Sequence, residues 1–385
     1  MRRRELLRAG LAGAGAAALS GVLWQRAFAV TALPGDSPYG ALRPPDTNGV
    51  ALPDGFTSRI VARSGQPVGG TGYTWHRAPD GGACFADGSG WIYVSNSEIP
   101  VGGGASAVRF AADGSVVSAY RILGGTHVNC AGGATPWQTW LSCEEVSHGR
   151  VFETDPWGRR PAPARLAMGR FKHEAAACDP ERRTVYLTED EEDGCLYRFL
   201  PETWGDLERG RLQVLCAPPG TTSGPVTWQD VPSRDGAGVP TRRQVPAALR
   251  FDGGEGCWYE SGVCYFTTKG DDRVWAYDAA ASALGLAYDA AAGGTLSGVD
   301  NITGAPRNAD LFVAEDGGNM EINVITADGT VGPFLRLPGQ DRSEITGPAF
   351  NPAGDRLYFS SQRGYSGARS GSGGITYEVT GPFRA

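Results

Sequence analysis

An apolar strand with a polar or acidic end recurs along this chain. Its copies are Trp91-Ile92-Tyr93-Val94-Ser95-Asn96-Ser97-Glu98, Thr139-Trp140-Leu141-Ser142-Cys143-Glu144 and Thr184-Val185-Tyr186-Leu187-Thr188-Glu189. Three more follow: Val263-Cys264-Tyr265-Phe266-Thr267-Thr268-Lys269, Asp310-Leu311-Phe312-Val313-Ala314-Glu315 and Arg356-Leu357-Tyr358-Phe359-Ser360-Ser361-Gln362. Taken at end positions 98, 144, 189, 269, 315 and 362, the copies step by 46, 45, 80, 46 and 47 residues. A period in the mid-forties is the size of a four-stranded propeller blade, so six copies predict six blades. The long step predicts an insertion, roughly residues 201–249, rich in Gly, Pro and Arg. Amphipathic helical periodicity is scarce, and 57 glycines with 26 prolines favour many turns. The expected fold is all-β: a single six-bladed β-propeller over residues 30–385.

A second strand precedes each copy and also begins with a polar residue. Asn129 lies 15 residues before Glu144, Glu174 lies 15 before Glu189, Glu255 lies 14 before Lys269, and Asn301 lies 14 before Glu315. Asp80 precedes Glu98 by 18, and Gly347 opens the sixth copy without a charge. If the two strands are antiparallel neighbours, both polar ends face one side of the disc. The prediction is a ring of acids around one mouth of the central channel. In a single blade such acids are ordinary turn residues. The doublets Glu144-Glu145 and Glu315-Asp316, and the run Glu189-Asp190-Glu191-Glu192-Asp193, would repel unless solvated or bridged by cations. Convergence on one axis favours the cations.

The first 29 residues stand apart from this pattern. Arg2-Arg3-Arg4-Glu5-Leu6-Leu7-Arg8, an Ala/Gly/Leu run and Ala27-Phe28-Ala29 have the three-part layout of an export signal. Paired arginines before Leu-Leu point to the twin-arginine export machinery, and hence to a periplasmic or extracellular protein with no membrane anchor after signal removal. The chain carries 35 basic and 42 acidic residues; five of the arginines and one glutamate fall before Val30, leaving 30 against 41. With only Lys172 and Lys269 as lysines, nucleic acid and anionic membrane are poor partners, and hard cations are better ones. Eight cysteines lack the paired spacing of a zinc site, so their connectivity is open. A monomer is expected.

The most distinctive strings are Asn129-Cys130-Ala131-Gly132-Gly133-Ala134-Thr135-Pro136-Trp137-Gln138-Thr139-Trp140-Leu141-Ser142-Cys143-Glu144-Glu145, and Lys172-His173-Glu174 followed by Tyr186-Leu187-Thr188-Glu189-Asp190. In these the chain resembles the PhoX family of exported alkaline phosphatases, as a short member. The likeness extends through Asp300-Asn301-Ile302-Thr303, Glu315-Asp316-Gly317 and Glu344-Ile345-Thr346-Gly347-Pro348. The resemblance implies a six-bladed propeller holding iron and calcium around a bridging oxide, with a thiolate on iron. Carried over, it implies Cys143 as that thiolate, with Glu144, Glu174, Glu189, Asp190, Asp300, Asn301, Glu315 and Glu344 as metal ligands. Glu98 matches the family's early acidic motif, although Ser97 stands where longer relatives have a histidine. The implied reaction is hydrolysis of a small phosphorylated substrate.

The residue types agree with that chemistry. Carboxylates in number suit calcium, and a thiolate among them calls for a softer metal such as iron. Charge developing on phosphoryl oxygens needs donors, for which Lys269, Arg307 and Arg363 are the candidates. Two other readings stay open. One is a calcium-only hydrolase of the gluconolactonase-like propellers, for which Asp300, Asn301 and Glu344 would serve and a thiolate would be idle. The other is a non-catalytic ligand-binding propeller pinned by structural calcium. His173 is expected to make a structural hydrogen bond, and Trp137 and Trp140 to pack in blade cores.

Overall fold

The computed structural model describes residues 31–385, so the expected export signal lies outside the described residues. Six sheets follow one another along the chain, antiparallel throughout except where Leu33–Pro34 pairs parallel with Thr330–Arg336. Blade 1 is built from Pro79–Asp87, Gly90–Ser97, Gly103–Phe110 and Val116–Thr126, each pairing with the next. Blade 2 has three strands among the described residues: Asn129–Ala134, Trp140–Glu144 and Val151–Thr154. Blade 3 runs His173–Asp179, Thr184–Glu189, Leu196–Thr203, Asp206–Cys216 and a fifth strand, Thr227–Asp230. Blades 4, 5 and 6 have inner strands Gly254–Glu260, Val299–Gly304 and Ile345–Phe350. Among the described residues no helix is long and apolar enough to cross a membrane.

The stretch expected as an insertion serves two blades. Within residues 201–249 lie the fourth and fifth strands of blade 3, and Gly224–Pro225, which pairs with the outer strand of blade 4. This extra edge material is why the third step of the repeat is long. The ring is closed by an early strand. Thr57–Arg63 pairs antiparallel with Ile375–Thr380, in register from Thr57↔Thr380 to Arg63↔Ile375, and becomes the outermost strand of blade 6. Thr57–Arg63 and the last strand are thus tied into one sheet.

Alternating side chains fill the seams between blades. Phe85, Ile92, Val94, Ala105 and Ala107 of blade 1 meet Trp140 and Phe152 of blade 2. Leu141, Cys143 and Val151 of blade 2 meet Ala176, Val185 and Leu187 of blade 3.

One local irregularity repeats six times. In every blade the pairing of inner and second strands breaks just after its first residues. It resumes with one more residue on the inner strand: Asn129↔Glu144 then Gly132↔Ser142, His173↔Glu189 then Ala176↔Leu187, Val299↔Glu315 then Ile302↔Val313. The same step occurs at Pro79/Gly82, Gly254/Cys257 and Thr346/Ala349. A β-bulge re-aims the residue it contains, and here six bulges lie at the same mouth of the channel.

The bulged strands approach so closely that some positions have no room for a side chain. A Cβ on Gly81 would lie 2.5 Å from Ala131 Cα, and one on Gly256 would lie 2.6 Å from the Ile302 amide nitrogen. Both obstacles are backbone of the next blade, which cannot rotate away. Gly81→Ala is therefore expected to destabilise the protein by about 1–3 kcal/mol. Gly238→Ala, at an exposed position with nothing within 4 Å, should stay within about 0.5 kcal/mol of the parent. Urea unfolding of the two variants checks this, and equal midpoints would show that the inner ring is not close-packed.

Candidate metal centre

The bulges place two tiers of side chains at one mouth. The deeper tier is the second residue of each inner strand: Asp80, Cys130, Glu174, Glu255, Asp300 and Thr346. The outer tier is the residue just after each second strand: Glu98, Glu145, Asp190, Lys269, Asp316 and Gln362. The deeper tier is at most 9% exposed throughout, whereas the outer tier is half-buried except for Gln362, which is buried. Glu344 joins them from the residue before the blade 6 inner strand.

Four overlapping groups draw ligand-type atoms within 4.8 Å of one another: Asp80–Glu98–Cys130, Cys130–Glu145–Glu174, Glu174–Glu255–Asp300 and Asp300–Asp316–Glu344. Backbone contacts hold the groups in place. Asn96 of blade 1 donates to the carbonyls of Cys130 (3.0 Å) and Ala131 (2.8 Å) in blade 2, and is itself fixed by Trp140 Nε1 and Ser142 Oγ. Thr188 donates to the Glu255 carbonyl, Thr267 to the Asp300 carbonyl and Thr346 to the Pro79 carbonyl. These four seams are thus stitched at or beside a residue of the deeper tier. Asn301 does similar work: its amide donates to Asp300 Oδ1 at 2.7 Å and its oxygen accepts from Gly347 N at 2.6 Å.

Crowding of buried acids dominates the electrostatics. Burial first, and then the neighbouring carboxylates Glu255, Glu145, Asp300 and Asp80, push the Glu174 carboxyl far above the usual range. Burial with Asp300 raises Asp80 to about 8, burial with Asp80 raises Glu98 to about 7, and burial with Glu98 raises Glu145 to about 8. Burial also brings Asp300 up to about 7 and holds the Cys130 thiol well above its normal value. The Cys130 sulfur donates to Asp80 Oδ1 at 3.7 Å. Both oxygens of Glu174 are buried without a hydrogen-bond partner, although a buried carboxylate ordinarily finds donors. Cations are the ligands this donor set fits: oxygens in number for a hard cation, and one sulfur for a softer one.

Basic residues ring the outer tier. Lys172 Nζ lies 2.9 Å from Glu145 Oε1 and 2.6 Å from Asp190 Oδ2. Lys269 Nζ lies 2.8 Å from Glu255 Oε1 and 3.3 Å from Asp316 Oδ2. Arg363 donates to Glu344 Oε1 at 2.9 Å, and Gln362 bridges Asp80 and Glu98.

Of the residues named from sequence, Glu98, Glu174, Asp300 and Glu344 stand in these groups, Asp190 stands beside them on Lys172, and Asn301 positions Asp300. Four do not meet them. Cys143 points into the apolar seam between blades 2 and 3 and is fully buried there; the sulfur among the acids is Cys130. The Glu144 carboxylate is consumed by Arg150 and the amide of His127. Glu189 accepts from Tyr197 and Arg242, the latter reaching in from the 201–249 stretch. Glu315 accepts from the amides of Ser297 and Glu321 and from Asn323. Among the cations, Arg307 sits in the turn after the blade 5 inner strand, at the opposite end of the channel, where it donates to the Ala353 carbonyl. Outside the ligand set carried over from the resemblance stand Asp80 and Glu255, which the strand-end pattern already puts in the ring, Glu145 and Asp316, the second members of acid doublets, and Cys130. Each lies one position beyond a residue in the first ladder pair of its blade: Pro79, Asn129, Glu144, Gly254 or Glu315. Strand alternation aimed the last ladder residue into the blade and its successor at the axis.

Fold and site together define a six-bladed propeller with an axial acid–thiol centre. The sequence profile of the family described as alkaline phosphatase PhoX matches residues 93–148 and 146–364. The chain belongs to the PhoX family. It superposes on PhoX of Pseudomonas fluorescens, solved with vanadate as a transition-state analogue, with a TM-score of 0.72 at 16% identity, over 91% of this chain and 97% of that one. A gluconolactonase from Xanthomonas campestris gives a TM-score of 0.50 at 12% identity, over 90% and 99% of the two chains. A protein of unknown function from Bacteroides thetaiotaomicron gives 0.50 at 9%, over 84% and 76%. At such identities these likenesses concern the fold. No curated protein sequence matches the chain.

The raised carboxyls carry a stability consequence. Their folded values lie above those of the unfolded chain, so without cations the folded state holds protons that the unfolded state has released. That contribution is complete below about pH 4 and is lost as pH rises toward 8, where Asp80 and Glu145 titrate. In chelator, the melting temperature should fall steadily between pH 5 and 8, and excess calcium should remove the fall. A flat profile in chelator would mean that the acids do not share one buried site.

Proposed function

We propose that this protein is a metal-dependent phosphomonoesterase working outside the cytoplasm. The observation that carries the reading is Glu174, a carboxylate with both oxygens buried and unpartnered, set among Cys130, Glu145, Glu255 and Asp300. Cys130 with Glu145 and Glu174 would hold iron, and the all-oxygen group Asp300–Asp316–Glu344 would hold calcium. When bound, such cations supply Lewis acidity to a phosphoryl oxygen and offset the charge that develops there. Membership of the PhoX family supports the phosphatase assignment.

The chain's own residues would do the rest. Lys172, Lys269 and Arg363 keep 30%, 36% and 29% of their side-chain surface exposed at the mouth. Each is pinned by carboxylates, so its donors are pre-aimed at an anion entering along the axis. Arg363, with a planar fork, suits two phosphoryl oxygens at once. Asn96, Thr188 and Thr267 fix the backbone beneath the deeper tier, so that tier needs no rearrangement when substrate arrives. A calcium-only lactonase would leave Cys130 without a role, which is why the phosphatase reading is preferred.

Two cysteine variants give the test. Cys130→Ala should lose iron and lower hydrolysis of an aryl phosphate by more than the ~10–100-fold that loss of a supporting partner costs. Cys143→Ala should keep both iron and turnover, with only a packing penalty of about 1 kcal/mol. Full activity in Cys130→Ala, or metal loss in Cys143→Ala alone, would overturn the assignment.

A further inference from the structure

Three of the four groups at the mouth follow a seam rule, while the fourth, Glu174–Glu255–Asp300, joins deeper-tier acids of blades 3, 4 and 5. A seam brings together a deeper-tier residue, the outer-tier residue of the same blade and an acid or thiol of the next blade. Blades 1 and 2 give Asp80, Glu98 and Cys130; blades 2 and 3 give Cys130, Glu145 and Glu174; blades 5 and 6 give Asp300, Asp316 and Glu344. Between blades 4 and 5 the same rule selects Glu255, residue 269 and Asp300. Residue 269 is a lysine. Its ammonium lies 2.8 Å from Glu255 Oε1 and 3.3 Å from Asp316 Oδ2, thereby linking carboxylates of two adjacent blades.

Lys172 provides the contrast. It also joins two outer-tier acids, Glu145 and Asp190, but it comes from the segment before the blade 3 inner strand and occupies no ring position. Lys269 stands where blades 1, 2, 3 and 5 carry Glu98, Glu145, Asp190 and Asp316. A lysine at such a position removes one ligand and adds one fixed positive charge. Both changes oppose a metal ion at that seam, the second by setting a positive charge at ion-pair distance from the acids that an ion would have bridged.

We propose that the Lys269 ammonium is a built-in substitute for a cation between blades 4 and 5, and so limits how many metal ions the mouth accepts. The proposal rests on the metal-centre reading above. Without the ammonium, Glu255 and Asp316 would face each other with Asp300 nearby and would bind a hard divalent ion, calcium being the fitting class. Lys269 is thereby a specificity-determining residue for metal occupancy.

Metal content of the full-length protein, loaded with calcium and desalted, is the readout. Wild type without bound metal would defeat the metal-centre reading itself, and the variants are compared only against a metal-bearing wild type. Lys269→Gln should bind about one more calcium per chain than wild type, and its melting temperature should rise further on calcium addition. Lys269→Arg keeps the charge and should retain the wild-type count. An unchanged count in Lys269→Gln, or an extra ion in Lys269→Arg, overturns the proposal. Should Lys269→Gln resist purification, Lys269→Asp, which installs the acid found in blades 3 and 5, carries the same test. Recovery of that variant in calcium with an added ion supports the inference, and failure to recover it in calcium overturns it.

Discussion

Like charges confined in a small buried volume are the constraint on which this molecule turns. Asp80, Glu174, Glu255 and Asp300 are each at most 4% exposed and all converge on one axis. Desolvation alone makes such a ring costly when ionised, and mutual repulsion adds to the cost. Protons, resident lysines or bound cations are the available remedies. The propeller makes the arrangement possible because six separate sheets each contribute only one or two of the offending groups, while hydrophobic seams between the blades supply the opposing stability.

The bulge links sequence to this constraint. A regular ladder would alternate side chains between the two faces of each blade and leave the axis lined only by backbone edges. One extra residue in each inner strand turns a single side chain toward the channel, and the glycines beside it let six strands crowd together. Hydrogen bonds from Asn96, Thr188, Thr267 and Thr346 to neighbouring backbone carbonyls then tie four of the six inner strands to the adjacent blade. Positioning of the chemical groups and closure of the fold are therefore the same set of contacts.

Six blades, their order and the mouth that gathers the acids were legible because apolar strands with polar ends recur at the size of a blade. The individual ligands were less legible, for a definite reason. A repeat in composition locates a strand end to within one residue, but facing direction changes with every residue. Glu144 and Glu145 are thus indistinguishable by type, yet one is neutralised by Arg150 in the blade and the other faces the axis. The same slip separates Glu315 from Asp316. The two cysteines differ by strand and not by one step: Cys143 lies within a second strand and faces the apolar seam, whereas Cys130 is the second residue of an inner strand and stands among the acids. At Glu189-Asp190 both members are candidates from the sequence, and Asp190 is the one held by Lys172 beside the acid groups. Arg307 failed differently: its proximity in sequence to Asp300 spans a whole strand, which carries it to the far end of the channel.

The central claim is that a single sulfur, that of Cys130, shares metal with carboxylates from several blades. A crystal structure of protein purified with its native metals, with anomalous difference maps recorded at the iron edge, tests it most directly. The account predicts an iron peak bounded by Cys130 Sγ, Glu145 and Glu174. Iron elsewhere, or a mouth containing only ordered water with Glu174 still unpartnered, would contradict it.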